Sequence, residues 1–353
     1  MQLTRLLPFG FAITCASLAA PAPEPTALAV LPRIHSNEYI NYTTLTGFFL
    51  QDDPATSTTG FDYAAVNFGL INRTYSTDSE VPADWTQWQK FDHYVWRLNR
   101  GSGRFVQYKV LYMGRHGEGY HNVAETYYGT PAWNCYWSLK DGNGTVSWAD
   151  ARITPNGVAQ AVKAHDFWAS HITSQKIPVP ETYYTSPLTR CLQTANITFS
   201  GLDLPSRQPF IPTVKELFRE GISGHTCDRR GTKTYIQDAF PAYKIEAGFS
   251  EDDLLWKPLQ GEVPVDEDIR SKIGLDEVFD SDDSTYISIT SHSGEIASLL
   301  RVLGHRNFSL STGQAIPVLV KAETIESKPI VTASQAWTTI STCSTAPPLP
   351  TAT

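Results

Sequence analysis

A chain of 353 residues with 41% hydrophobic and 18% charged residues carries enough apolar side chains for a large core, which excludes a disordered or coiled-coil protein. Lys and Arg number 28 against 36 Asp and Glu, a net charge of −8, so no cationic surplus exists for a nucleic-acid backbone and no nucleic-acid partner is expected. Any anionic ligand must therefore be held by a local pocket. The length suits about two domains, or one α/β domain with insertions.

Met1–Arg5 is followed by the apolar Leu6–Ala20 and the small-x-small triplet Ser17-Leu18-Ala19, so residues 1–19 read as a secretory signal peptide and a secreted, extracellular protein is expected. No later run reaches the ~18 apolar residues of a membrane span, so no membrane partner is expected. Five of the 11 asparagines begin N-x-S/T sequons, Asn41, Asn72, Asn143, Asn196 and Asn307, against about two by chance, which fits N-glycans at some of them. Apart from Cys15 in the leader, Cys135, Cys191, Cys227 and Cys343 form an even set with three full pairings, and their spacing matches no zinc pattern.

Residues 20–105 are rich in aromatics, Gly and turn residues without a long helical period, and read as an irregular segment packing on the core formed by the rest of the chain. From Lys109 the pattern changes. Lys109–Gly114 is a β-prone run ending at Arg115-His116-Gly117, and Thr154-Pro155 caps a helix through Ala159, Val162 and Phe167. Glu181–Thr185 reads as a strand, Thr189 to about Thr198 as a helix, Tyr286–Thr290 as a strand, Gly294–Leu303 as a helix and Ala315–Val320 as a last strand. This alternation predicts an α/β three-layer sandwich whose mainly parallel central sheet is covered on both faces. The main domain is taken as 106–325, with cap insertions in 118–150 and 221–275, and 326–353 as a Pro-rich C-terminal tail.

In such sheets ligands bind beyond the carboxyl ends of the strands. That rule gathers Arg115-His116-Gly117, Ser186–Arg190 and Ser291-His292-Ser293-Gly294. Two arginine forks suit phosphoryl oxygens, and a neutral imidazole can attack phosphorus in line while the cations take up the charge. The leaving oxygen then needs a proton, and Glu216 and Glu220 both offer a carboxyl.

Arg115-His-Gly-Glu118 with Asn122, Thr185-Ser-Pro-Leu-Thr-Arg190, Leu217-Phe-Arg-Glu220 with Gly224, and Ser291-His-Ser-Gly294 resemble, in order, the motifs of the histidine phosphatase superfamily, phosphoglycerate mutase-like branch. The resemblance covers roughly 109–323. Phe48–Gln51, Asn67–Leu70, Trp133–Trp137, Trp148–Ala151 and His225–Arg229 resemble secreted fungal members more closely. It implies a phosphoglycerate mutase-like fold and His116 as nucleophile. It further implies Arg115, Arg190 and His292 on the phosphoryl oxygens, Asn122 as an extra substrate contact, and Glu220, not Glu216, as proton donor. No metal and no other cofactor are implied.

Phytase-like relatives carry His-Asp at the late motif, where Ser293 stands here, which favours the mutase-like branch. The expected activity is a metal-independent phosphomonoesterase of the histidine acid phosphatase kind, working through phosphohistidine on a small phosphorylated substrate. A phosphoglycerate mutase-type phosphotransferase and a non-catalytic secreted binding protein are the alternatives. Glu220 has a structural alternative in an ion pair with Arg219 or Arg229. His121, His225, Arg229 and Arg230 either line the substrate side or lie at solvated surface. Trp133, Trp137 and Trp148 are assigned to packing.

Overall fold

The computed structural model describes residues 38–326, 335 and 337–349; the segment read as a signal peptide lies outside them. In chain order the elements are β1 (Glu38–Thr44), α1 (Gln87–Gly101), β2 (Val106–Arg115), α2 (Tyr120–Tyr128), α3 (Thr130–Cys135) and α4 (Pro155–Ser174). Next come β3 (Thr182–Thr185), α5 (Thr189–Phe199), β4 (Thr213–Val214), α6 (Lys233–Ala239), β5 (Lys244–Ile245) and β6 (Gln260–Gly261). The chain continues through α7 (Pro264–Ser281), β7 (Tyr286–Ser291), α8 (Ser293–Val302), β8 (Ala315–Glu326) and β9 (Thr338–Thr339).

Seven strands form one sheet in the order β1-β8-β2-β7-β3-β4-β5. β2, β7, β3, β4 and β5 run parallel, while β8 is antiparallel to both β2 and β1. Side-chain alternation along β2 explains the layers. Leu111 and Met113 point to one face with Ile287 and Ile289, under Leu275, Val278 and Phe279 of α7 and Ile296, Leu299 and Leu300 of α8. Val110 and Tyr112 point to the other, under Trp88, Phe91 and Val95 of α1 and Phe167 and Trp168 of α4. At about 1.5–3 kcal/mol per fully buried large side chain, both layers are firmly held to the sheet. The fold is the α/β three-layer sandwich expected.

Three sequence expectations need correction. Residues 38–105 are not irregular throughout: they supply edge strand β1 and the 15-residue α1, capped by Thr86, whose hydroxyl accepts from Gln89 N at 3.2 Å. Its buried Trp88, Phe91 and Val95 follow helical spacing, a period masked by the surrounding aromatics and turn residues. Residues 264–275 are not cap but the first two-thirds of α7, a layer helix whose inner face includes buried Arg270 and Asp266 and so lacks a clean apolar stripe. The strand beginning at Ala315 is not the last, because β9 pairs with β6. The tail holding β9 is fastened by a Cys135–Cys343 disulfide, while Cys191 and Cys227 are buried free thiols. No helix among the described residues is long and apolar enough to cross a membrane.

Candidate active site

Parallel register sets the site. Arg115 at the end of β2 lies opposite Ser291 of β7, and Thr185 of β3 lies opposite Thr290 of β7 and Val214 of β4. The residues just beyond these strand ends, His116, Ser186, Glu216–Glu220 and His292, therefore emerge along one edge. Gly117 seats the first loop on α4: a Cβ there would lie 2.4 Å from the Gly157 carbonyl oxygen, closer than any side chain tolerates. Its N–H donates to Thr194 Oγ1 at 2.9 Å, and Glu118 accepts from Thr154 Oγ1 at 2.6 Å.

His116 is 1% exposed. Its Nδ1 lies 2.8 Å from the Gly117 carbonyl, which can only accept, so Nδ1 carries the proton and Nε2 keeps its lone pair. Burial first, then the charges of Arg190 and Arg115, holds its pKa well below the ordinary histidine value. The ring is thus neutral, with Nε2 left as a free acceptor and its orientation set by its own backbone. His292 stands beside it, ring centroids 5.1 Å apart.

Arg190 is buried, and its guanidinium spans three partners: Nε donates to His292 Nδ1 at 3.2 Å, Nη1 to the Cys227 carbonyl at 2.6 Å, and Nη2 to Asp228 Oδ1 at 3.4 Å. Two of its five N–H bonds remain for a ligand. Since Nδ1 of His292 accepts, its Nε2–H donates to Ser186 Oγ at 2.7 Å. Both His292 nitrogens are thus occupied by protein, and the ring orients Arg190. Arg115 spends Nη1 on the Leu310 carbonyl at 2.7 Å, while its buried Nε has no partner among the described residues. Asn122 caps α2 through Oδ1, accepting from Gly119 N at 2.9 Å, which leaves its amide nitrogen as a donor.

Glu220 joins from the loop after β4. Its Oε1 accepts from the N–H groups of Gly221 and Glu295, each at 3.1 Å, the latter in the first turn of α8. Burial, then Asp228, raises its pKa above the usual carboxyl value against the pull of Arg190, the Gly221 N–H and Arg115, which favours a protonated acid. Neither structural alternative for Glu220 forms. Arg219 pairs with Glu216 and Asp253, and Arg229 pairs with Asp141. Glu216 is fully engaged by Arg219 and Arg230, which removes it as proton donor.

Of the four basic residues left open by the sequence, His121 packs against His116 with centroids 5.4 Å apart and has a buried Nδ1 without a partner among the described residues. Arg230 is committed to Glu216 and to the carbonyls of Gly231, Ser250, Glu251 and Asp252, so it does not line the site. Trp133 and Trp148 are buried with Trp137 against them, as packing. His225, Cys227 and Asp228 bring three potential ligand atoms within 4.8 Å, yet they make a poor cation site. Asp228 is taken by Arg190 and Ser223, and burial, then Asp228, holds the Cys227 thiol far above its usual pKa. Sequence reasoning missed Ser186 as a partner of His292, Asp228 as the anchor of Arg190, and Arg270, which donates to the carbonyls of Leu217 and Arg219 beneath the Glu220 loop. The Ser186 and Asp228 positions lay inside visible motifs, whereas Arg270 did not.

This fold, with a buried neutral histidine, two arginines and an acid at one sheet edge, defines a class of phosphoryl-handling proteins. The family model for the histidine phosphatase superfamily (branch 1) matches residues 111–320, and the chain belongs to that family. It is 51% identical over 292 residues to the Arthroderma benhamiae protein named "Probable phosphoglycerate mutase", covering 82% of this chain and 87% of that one. It is 36% identical over 283 residues to "Phosphomutase-like protein 3" of Candida albicans, covering 80% of each chain.

Proposed function

We propose that the protein is a secreted phosphomonoesterase that works through a phosphohistidine on His116. The observation that carries this reading is the tautomer: Nδ1 is tied to Gly117, so the lone pair sits on Nε2. Nε2 attacks phosphorus and the bond to the leaving oxygen breaks as Glu220 gives that oxygen its proton. Arg115, Arg190 and the amide of Asn122 bind the phosphoryl oxygens, with His292 positioning Arg190. Water then attacks phosphorus, the P–N bond breaks, and the water proton returns to Glu220. The arginines supply the charge stabilisation, so the reading requires no metal. Export is supported by the Cys135–Cys343 disulfide, a bond of oxidising compartments, and by the exposure of all five sequon asparagines.

The relatives' names favour a second reading, a mutase that returns the phosphoryl group to a phosphoglycerate. One experiment separates them. Release of phosphate from p-nitrophenyl phosphate with EDTA present, lost in His116→Ala, supports the phosphatase. Interconversion of phosphoglycerates primed by a bisphosphorylated glycerate, without phosphate release, supports the mutase. Absence of both, with no labelling of His116, would leave a binding protein. Glu220→Gln should slow alkyl phosphates more than aryl ones, because aryl leaving groups need less protonation.

A further inference from the structure

Glu267, in the first turn of α7, belongs to none of the motifs, yet its carboxyl reaches the same spot as that of Glu220. A Cβ on Gly294 would lie 2.2 Å from Glu220 Oε1 and 3.2 Å from Glu267 Oε1, and one on Gly221 would lie 3.1 Å from Glu267 Oε1. The two acids therefore converge over a floor that glycine keeps open. Among the described residues, Glu267 Oε1 is buried without a hydrogen-bond partner, and Oε2 meets only the distant guanidinium of Arg301 at 3.6 Å. Arg301 is itself spent on Asp268, and Arg270 on Glu262, Glu295 and backbone carbonyls. Arg270 and Arg301 offset its charge in part, but neither donates to Oε1, and a buried carboxylate oxygen without a donor is stabilised by sharing a proton with its neighbour.

We propose that Glu267 is a positioning residue that shares a proton with Glu220 and so keeps Glu220 acidic. The proposal rests on the phosphomonoesterase reading. Two carboxyls this close do not ionise independently: once one is charged, the other holds its proton to higher pH, and the pair titrates as a unit. Both glutamates are partly exposed, the Glu267 side chain at 13%. The charges facing the pair are Arg270 and Glu262 around α7, Arg301 and Glu295 on α8, Asp228 beyond the Glu220 loop, and Arg190 and Arg115 from α5 and β2. Burial, against Arg270 and reinforced by Glu220, brings Glu267 up to about 7. The proton that the pair keeps to neutral pH is shared with Glu220, which extends the acidic form of Glu220 in the same direction.

The test is Glu267→Gln, which keeps shape and removes the charge. The alkaline limb of kcat/KM for an alkyl phosphate should move to lower pH by about one unit, with the melting temperature tracked as a control. Carboxyl 13C NMR titration of glutamate-labelled enzyme, assigned with Glu220→Gln, should show the raised titration of Glu220 falling in the variant. An active enzyme whose limb and Glu220 titration both stay put overturns the pair while leaving the phosphatase reading intact. If the parent enzyme neither hydrolyses phosphate esters nor labels His116, the functional reading fails instead. The NMR titration then decides the pair alone: a fall supports it, and no change overturns it.

Discussion

Gly294→Ala tests the Glu220 assignment without touching either the acid or the nucleophile. Gly294 lies in the first turn of α8 at an ordinary helical φ, where alanine is a better helix former by up to about 1 kcal/mol. The new Cβ would fall 2.2 Å from Glu220 Oε1, about 1 Å inside normal contact. The atom in the way is the end of a flexible side chain, so the fold yields cheaply and the carboxyl is what moves. A retreat of that size weakens both 3.1 Å bonds from Gly221 and Glu295, and a misplacement of 1 Å costs on the order of 100-fold in rate. The expected result is about a 100-fold loss of kcat/KM for an alkyl phosphate and a much smaller loss for p-nitrophenyl phosphate. The calorimetric melting temperature should be equal to or above that of the parent. Turnover of the alkyl ester within threefold of the parent, at unchanged stability, would refute the role given to Glu220.

Arg190→Ala strands the Asp228 carboxylate in the interior and should destabilise by about 3–5 kcal/mol in urea titration. Adding Asp228→Asn should restore part of the stability and none of the turnover. Cys343→Ser opens a 208-residue loop, for which chain entropy gives about 5 kcal/mol and typical bonds deliver 2–4. The variant and the reduced parent should melt at the same temperature, several degrees below the oxidised parent. Asp253 resists ionisation through burial, but Arg219 and the N–H groups of Trp256 and Arg230 outweigh this and hold it at about 2, below the usual aspartate value. A depressed acid contributes stability above its unfolded pKa and loses it as pH falls through the folded one. This contribution is about 2 kcal/mol. The stability gap between the parent and Asp253→Asn should shrink between pH 4 and pH 2.

The strand ends were readable because each joins a short β-prone run to Gly, Pro or Ser, and parallel topology then forces those ends together. His116 and Arg190 could be listed from local sequence for that reason, whereas Glu220 was separated from Glu216 only by the family resemblance. What His292 does could not, because its partners Ser186 and Arg190 lie 106 and 102 residues away and fix its ring only after the sheet has formed. Helix α7 hid for a related reason. Arg270 and Ser271 occupy core positions that pair with Glu295, so charge interrupts the apolar period that pattern reading depends on. Helix α1 was legible in principle, with a Thr86 cap and buried residues three and four apart. Its exposed Trp96 and half-buried Tyr94 spread aromatic character around the whole cylinder. Glu267 carries no motif at all, and only the absence of side chains at Gly221 and Gly294 reveals it.

The Cys135–Cys343 bond also fixes an order of events during synthesis. Cys135 leaves the ribosome 208 residues before its partner, and β1 must wait longer still for β8. The His116 loop and its surroundings are therefore made early but are strapped late, when Ile340 comes to rest against Gly224 and its N–H donates to the Leu259 carbonyl. Through most of elongation Cys135 is a lone thiol in the company of Cys191 and Cys227. Burial of those two in the folded core then decides which partner remains for it. Correct pairing is in this way a readout of completed folding, and mispaired chains would report a sheet that closed too slowly.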